Sequence, residues 1–153
     1  MLEFSKGKID KFEKIIHTSY NLLPVDPFQI ASEKPFRFRC FSKVRCKNNK
    51  FTIIDDTNFF QNKKINHYVG GKKRKYKSID EKVLKLFLKK FKSEFIKYTP
   101  FNNFEIGFHQ IRIRCGLNFV GYPVPEGWHK DGFDYVVILN VASTNIVCGT
   151  TKI

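Results

Sequence analysis

The sequence predicts one α+β domain in which helices come first and β structure follows. Apolar residues recur at steps of three and four from Val83 to Phe95, which indicates an amphipathic helix. Residues 104–115 instead alternate with a period of two, which indicates a long strand. Hydrophobic residues make up 42% of the 153 residues, enough to bury one core. We therefore treat residues 1–153 as a single domain.

The composition excludes a membrane-spanning helix and argues against a nucleic-acid partner. No apolar run of about 18 residues occurs, and the N-terminal residues lack the apolar segment of a signal peptide, so we expect a cytoplasmic protein with no membrane partner. The net charge of +14 comes mostly from Lys, which lacks the bidentate recognition that Arg provides. A basic RNA- or DNA-binding domain that uses residues 72–75 therefore stays an alternative.

The N-terminal part is predicted to contain a helix and two strands. Apolar positions from Ile9 to Tyr20 are close to helical spacing. Residues 35–41 alternate with a period of two, and we expect Arg37 and Arg39 to lie on a solvated outer face. Residues 50–54 are a second strand candidate. The basic run after the Gly70-Gly71 turn is expected to be exposed.

The clearest helix is predicted to begin at a capping box, with Ser78 as N-cap and Glu81 at the third helical position. It should end before Thr99-Pro100. In the following strand, residues 108, 110, 112 and 114 share one face and residues 109, 111, 113 and 115 share the other. Two further strands are predicted, over Asp134–Val141 and Asn145–Ile153.

A turn rich in Pro and Gly, residues 121–134, brings an imidazole and a carboxylate together. His129 and Asp131 are two residues apart, and side chains at that spacing on extended backbone project to the same side. One nitrogen and one oxygen ligand then converge, as do two of the three groups of a facial His-carboxylate-His iron site. The sequence therefore predicts His129 and Asp131 as metal ligands.

Three segments resemble a known enzyme family: residues 108–112 (F-H-Q-I-R), 125–135 (P-E-G-W-H-K-D-G-F-D-Y) and 145–149 (N-I-V-C-G). They are similar to the H-Q-x-R, P-E-G-x-H-x-D-G-x-D and N-I-x-G-G patterns of the bacterial Fe(II)/2-oxoglutarate-dependent dioxygenases that hydroxylate free L-amino acids, the L-isoleucine 4-hydroxylase-like group. Weaker matches at residues 36–39 and 60–74 extend the resemblance over most of residues 24–153.

The resemblance implies a fold and a set of cofactors. The fold is a double-stranded β-helix, the jelly-roll or cupin-like core, with N-terminal helices packed on it. Residues 1–100 would be a helix-rich N-terminal part, and residues 104–153 would be the first strands of the jelly-roll with the H-x-D motif. His129 and Asp131 would bind Fe(II), with 2-oxoglutarate and O2 as cosubstrates and a free L-amino acid as substrate.

Four further residues are candidates for the site. Gln110 and Arg112 share a strand face, so Arg112 could meet a substrate or cosubstrate carboxylate, although surface placement is an open alternative. Glu126 and Asp134 are close enough in sequence to hydrogen-bond the metal ligands.

The family pattern also includes a distal His and an Arg for the 2-oxoglutarate carboxylate, both beyond the N-I-x-G-G turn. Neither follows residue 149 in this sequence, and Cys148 stands in place of the first Gly of the turn. We therefore expect a chain truncated at its C-terminus, which self-associates through an incomplete sheet and is inactive unless completed. A non-catalytic remnant that serves as an interaction module is the second alternative.

Overall fold

The computed structural model describes residues 13–29, 32, 34–67, 70–95, 101–124, 127, 129 and 131–147, with the backbone alone at residues 93 and 94. Its elements are α1 (Lys14–Ser19), a 3-10 turn (Tyr20–Leu22), β1 (Arg37–Lys47), β2 (Lys50–Ile54), β3 (Asn58–Phe59), β4 (Arg74–Lys75), α2 (Glu81–Phe95) and β5 (Asn103–Ile113). Helices and antiparallel sheet in one chain confirm the predicted α+β class. The jelly-roll stays a prediction.

A three-stranded antiparallel sheet in the order β2-β1-β5 forms the centre of the fold. β1 pairs with β5 over its full length, from Arg37 opposite Ile113 to Lys47 opposite Asn103. β2 returns through Asn48 and Asn49, both with positive φ, as a two-residue hairpin turn of type I′ requires. The strand predicted over residues 50–54 is confirmed, and β5 begins one residue before its predicted start and ends two before its predicted end.

One face of this sheet packs on the helices and forms the main core. The buried side chains of this cluster come from α1, α2, β1 and the loops beside them: Ile16, Leu23, Phe38, Cys40, Val44, Ile79, Val83, Leu84, Phe87 and Leu88. Burying one such aliphatic side chain contributes about 1.5–3 kcal/mol. The apolar stripe predicted for α2 is therefore the core side of that helix.

The N-cap of α2 is Asp80, and the predicted capping box at Ser78 and Glu81 is wrong. Oδ1 of Asp80 accepts the backbone N–H groups of Lys82 and Val83 at 3.0 and 3.2 Å. Glu81 is the first helical residue, so only the residue directly before it can reach these N–H groups. Ser78 lies two positions before this N-cap and is too far from these N–H groups.

The opposite face of the sheet is covered by a second layer built from residues 55–67 and 70–76. Phe59 of β3 and Tyr76 lie 5.4 and 6.3 Å from the ring of Phe41 in β1, and the three side chains are buried together. The expectation that Arg37 and Arg39 lie on a solvated face is wrong, since both are buried, Arg39 against the rings of Phe59 and Tyr76.

The basic run of residues 72–75 also differs from its prediction. Arg74 is buried in the second layer, whereas Lys72, Lys73 and Lys75 are exposed. One of the four positive charges is therefore withdrawn from the surface that a nucleic acid would contact.

Residues 131–147 contain no strand, so the strand predicted over Asp134–Val141 is wrong. A strand needs a neighbour to pair its backbone groups, and none of the described strands runs beside this segment. Val136 and Ile138 are more than half exposed, whereas Leu139 and Val141 pack against the main core. The strand predicted from Asn145 is not formed at residues 145–147, and the rest of it lies outside the described residues.

The described helices are too short or too polar to cross a membrane. Self-association through an incomplete sheet stays a prediction.

Candidate metal centre

The two predicted metal ligands lie side by side. Nε2 of His129 is 3.3 Å from Oδ1 of Asp131, and Nδ1 of His129 is 2.9 Å from the carbonyl oxygen of Gly127. A carbonyl oxygen can only accept a hydrogen bond, so Nδ1 carries a proton and donates it. In the neutral imidazole, Nε2 then presents its lone pair toward Asp131, as a metal ligand must.

Two glycines flank this pair, and the backbone conformation explains why the motif has glycine at both positions. Gly127 and Gly132 have φ of +70° and +73°, in the left-handed region that costs other residues strain. Gly132 also passes close to Ile65, and an added Cβ would lie 2.3 Å from its Cδ1 atom. The two Gly positions of the P-E-G-x-H-x-D-G pattern are therefore turns that shape the site.

The separation of the two ligand atoms fits one divalent metal ion. Two metal–ligand bonds of about 2.1 Å at a right angle place their donor atoms about 3.0 Å apart. Lone pairs of nitrogen and carboxylate that face each other at 3.3 Å repel unless a proton or a metal ion lies between them. His129 and Asp131 thus fit two positions of a facial site, and the described residues contain no group of three or more His, Cys, Asp or Glu that could hold a metal.

Gln61 connects Asp131 to the buried second layer. Its Nε2 donates to Oδ1 of Asp131 at 3.3 Å, and its Oε1 accepts from NH2 of Arg74 at 2.7 Å and from Nδ2 of Asn66 at 3.3 Å. A ligating carboxylate keeps its orientation through such partners. Gln61 is therefore the described residue that positions Asp131.

Sequence reasoning proposed Glu126 and Asp134 for that positioning role. Glu126 lies outside the described residues, and Asp134 is exposed. The signal that could have found Gln61 is the weak family match over residues 60–74, which contains Gln61, Asn66 and Arg74.

His109 is a neutral, partly buried side chain on the same side of the sheet as Gln61. Its Nδ1 accepts hydrogen bonds from NH2 and Nε of Arg39 at 2.7 and 3.2 Å, and a guanidinium can only donate. Its ring stacks on Phe41 and meets Phe59 edge-on, both at 4.5 Å. Burial lowers the pKa of His109 well below its usual value, and the positive charges of Arg39 and Arg74 lower it further.

The structure places Gln110 and Arg112 on the other face of β5. Nε2 of Gln110 donates to Oγ of Ser19 at 2.6 Å, and NH1 of Arg112 donates to Oδ1 of Asn21 at 3.1 Å. The guanidinium of Arg112 also lies 4.5 Å from the ring centre of Phe38, on the helix side of the sheet. The prediction that His109 and Arg112 point to opposite sides is confirmed, and the structure does not bring Gln110 or Arg112 together with His129 and Asp131.

Comparison with protein-family models gives a match to the 2OG-Fe dioxygenase family over residues 17–153. No curated protein matches the chain at a significant level. The matched range contains the metal-ligand pair, Gln61 and the buried side chains around His109.

Proposed function

The chain belongs to the 2OG-Fe dioxygenase family, and we propose that it is an Fe(II)/2-oxoglutarate-dependent dioxygenase that hydroxylates a free L-amino acid. The observation that carries this proposal is the 3.3 Å approach of His129 Nε2 to Asp131 Oδ1, with the imidazole held in the metal-binding tautomer by Gly127. The amino-acid substrate is supported by the resemblance of residues 108–112 and 125–135 to the amino-acid hydroxylases.

Bound Fe(II) would supply the coupling of 2-oxoglutarate decarboxylation and O2 reduction to the hydroxylation of a C–H bond. His129 offers Nε2 to the metal because the carbonyl of Gly127 keeps the proton on Nδ1. Asp131 offers a carboxylate oxygen, and Gln61 holds that carboxylate from the protein side. The protein thus presents two preoriented ligands on one side of the ion, which leaves positions for the cosubstrates.

We expect the described pair alone to hold Fe(II) weakly, because a facial site takes three protein ligands. His109 is no substitute, since its Nδ1 lone pair is engaged by Arg39 on β1. Turnover therefore requires a third ligand from outside this pair, supplied by the chain itself or by a second polypeptide.

The test is Fe(II) binding by the anaerobic 153-residue chain, with succinate release from 2-oxoglutarate measured beside it over a panel of aliphatic L-amino acids. We expect His129→Ala/Asp131→Ala to abolish iron binding. The matched control, Asp55→Ala/His67→Ala, removes an exposed pair of the same residue types and should leave iron binding unchanged.

Iron binding that survives His129→Ala/Asp131→Ala would contradict the ligand assignment. Iron binding without succinate release in the presence of any amino acid would support the ligand assignment and refute the activity proposed for this chain. Succinate release that depends on one amino acid and on His129 would identify the substrate, and would show that the third ligand is present in the sample.

A further inference from the structure

Three buried arginines lie on the metal-site side of the sheet with one buried carboxylate to balance them. Arg37, Arg39 and Arg74 are 6%, 8% and 4% exposed, and Asp26 is 0% exposed. Asp26 Oδ2 lies 2.7 Å from Nε of Arg37 and 3.9 Å from NH1 of Arg39. Asp26 pairs closely with Arg37 and more distantly with Arg39, so three positive charges share one negative charge among the described residues of the cluster.

The neighbouring groups do not remove that excess. His109 is neutral and accepts from Arg39, so it satisfies donors without supplying a negative charge. Gln61 stands between Arg74 and Asp131, whose charge a bound metal ion would share. Burying a guanidinium without a counter-charge is strongly unfavourable. Among the described residues, the cluster therefore lacks an anion that would balance its charge.

Arg39 and Arg74 both lie over the ring of Phe59. Their guanidinium carbons lie 5.5 and 4.9 Å from the ring centre of Phe59, and that of Arg39 lies 4.6 Å from the ring centre of Tyr76. Nε of Arg74 and the hydroxyl of Tyr76 are buried and have no hydrogen-bond partner among the described residues. Ring contacts balance part of the charge but leave such donors without an acceptor.

We propose that Arg39, Arg74 and Tyr76 form a binding site for a carboxylate group beside the metal ligands. Guanidinium groups bind carboxylates through paired N–H donors, and one carboxylate would satisfy both the excess charge and the unpartnered donors. Gln61 hydrogen-bonds both Arg74 and Asp131, so the length of one Gln side chain separates the proposed site from the metal ligands. A small dicarboxylate or an amino acid can span that distance.

The identity of the ligand rests on the proposed function, because that reaction offers two sources of a carboxylate, 2-oxoglutarate and the amino-acid substrate. Isothermal titration of the full chain with 2-oxoglutarate and with L-isoleucine, each with and without Mn(II) in buffer free of other carboxylates, distinguishes them. The probe whose affinity falls in the variants is the one that the site binds.

We expect Arg74→Met to weaken binding about 10- to 100-fold and Tyr76→Phe about 3- to 10-fold, as for a lost hydrogen bond to a charged group. Arg112→Met is the matched control, since Arg112 also lies over a Phe ring but on the opposite face of the sheet. Its affinity should stay within about twofold of wild type. Circular dichroism verifies folding, and Tyr76→Phe, which removes one hydroxyl, keeps the test valid if the arginine variants do not fold.

Wild-type chain that binds neither probe, or affinity that is unchanged in both Arg74→Met and Tyr76→Phe, would overturn the proposal. So would an equal loss in Arg112→Met. Iron binding without this carboxylate dependence would refute the carboxylate site and leave the proposed function standing. Carboxylate binding that depends on Arg74, in a chain that does not bind iron, would support the carboxylate site and refute the proposed function.

Discussion

Replacing Gln61 by Met is expected to weaken metal binding at His129 and Asp131 by about 10- to 100-fold. Gln61 Nε2 donates to the Asp131 oxygen that faces His129, and Met is similar in size but cannot donate. Without this donor the carboxylate can rotate away from the ligand position. Loss of such a supporting hydrogen bond typically costs 10- to 100-fold in metal affinity, or about 1.4–2.7 kcal/mol.

The same substitution should also lower the free energy of unfolding by about 1–3 kcal/mol, because Arg74 loses the buried acceptor that it contacts at 2.7 Å. Affinity must therefore be measured on folded protein. We would titrate Co(II) anaerobically, well below the midpoint of thermal unfolding, and follow the visible absorption of the bound ion. Urea denaturation of the metal-free chain gives the stability change separately.

Gln110→Met is the matched control for this experiment. Gln110 is as buried as Gln61, but it donates to Ser19 on the helix side of the sheet. We expect it to lower stability by about 1 kcal/mol and to leave Co(II) affinity within about twofold of wild type. Wild-type affinity in folded Gln61→Met, or an equal loss in Gln110→Met, would refute the positioning role of Gln61.

Three further predictions concern the scaffold. Leu84→Ala should lower the free energy of unfolding by about 3–5 kcal/mol in urea, because Leu84 is 1% exposed in the main core. Asp80→Ala should lower the free energy of unfolding by about 1 kcal/mol, because Asp80 accepts the N–H groups of Lys82 and Val83 at the start of α2. Ser78→Ala, at an exposed position, should leave it nearly unchanged. Equal losses in the two variants would support the predicted capping box instead. The pKa of Asp56 is lowered from 3.8 to about 2, chiefly by the hydrogen bond from Lys43. Ionised Asp56 therefore stabilises the folded state fully above its unfolded-state pKa, and this stabilisation is lost as the pH falls to about 2. Asp56→Asn should flatten the pH dependence of unfolding in that window, and an unchanged profile would contradict the assignment.

Local periodicity predicted the elements whose patterns are complete within one segment. The three- and four-residue steps of α2 and the alternation of β5 each lie in a continuous stretch, so both elements were found with small errors at their ends. The segment Asp134–Val141 is apolar enough for a strand, but a strand also needs a neighbouring strand to pair with. The local sequence does not show whether such a neighbour is present. The metal-ligand pair could be predicted because a spacing of two residues fixes its geometry locally.

The second layer could not be predicted in this way, and the misplacement of Arg39 shows why. Arginine at every second position of a strand reads as a surface face, because the pattern cannot distinguish water from a layer contributed by distant residues. Here Phe59 and Tyr76 cover Arg39 from 20 and 37 positions further along the chain, and Gln61 reaches Asp131 across a gap of 70 positions. Buried arginine is stable only where something offsets its lost hydration. The position at which the sequence prediction failed is therefore the position at which we propose that a carboxylate binds.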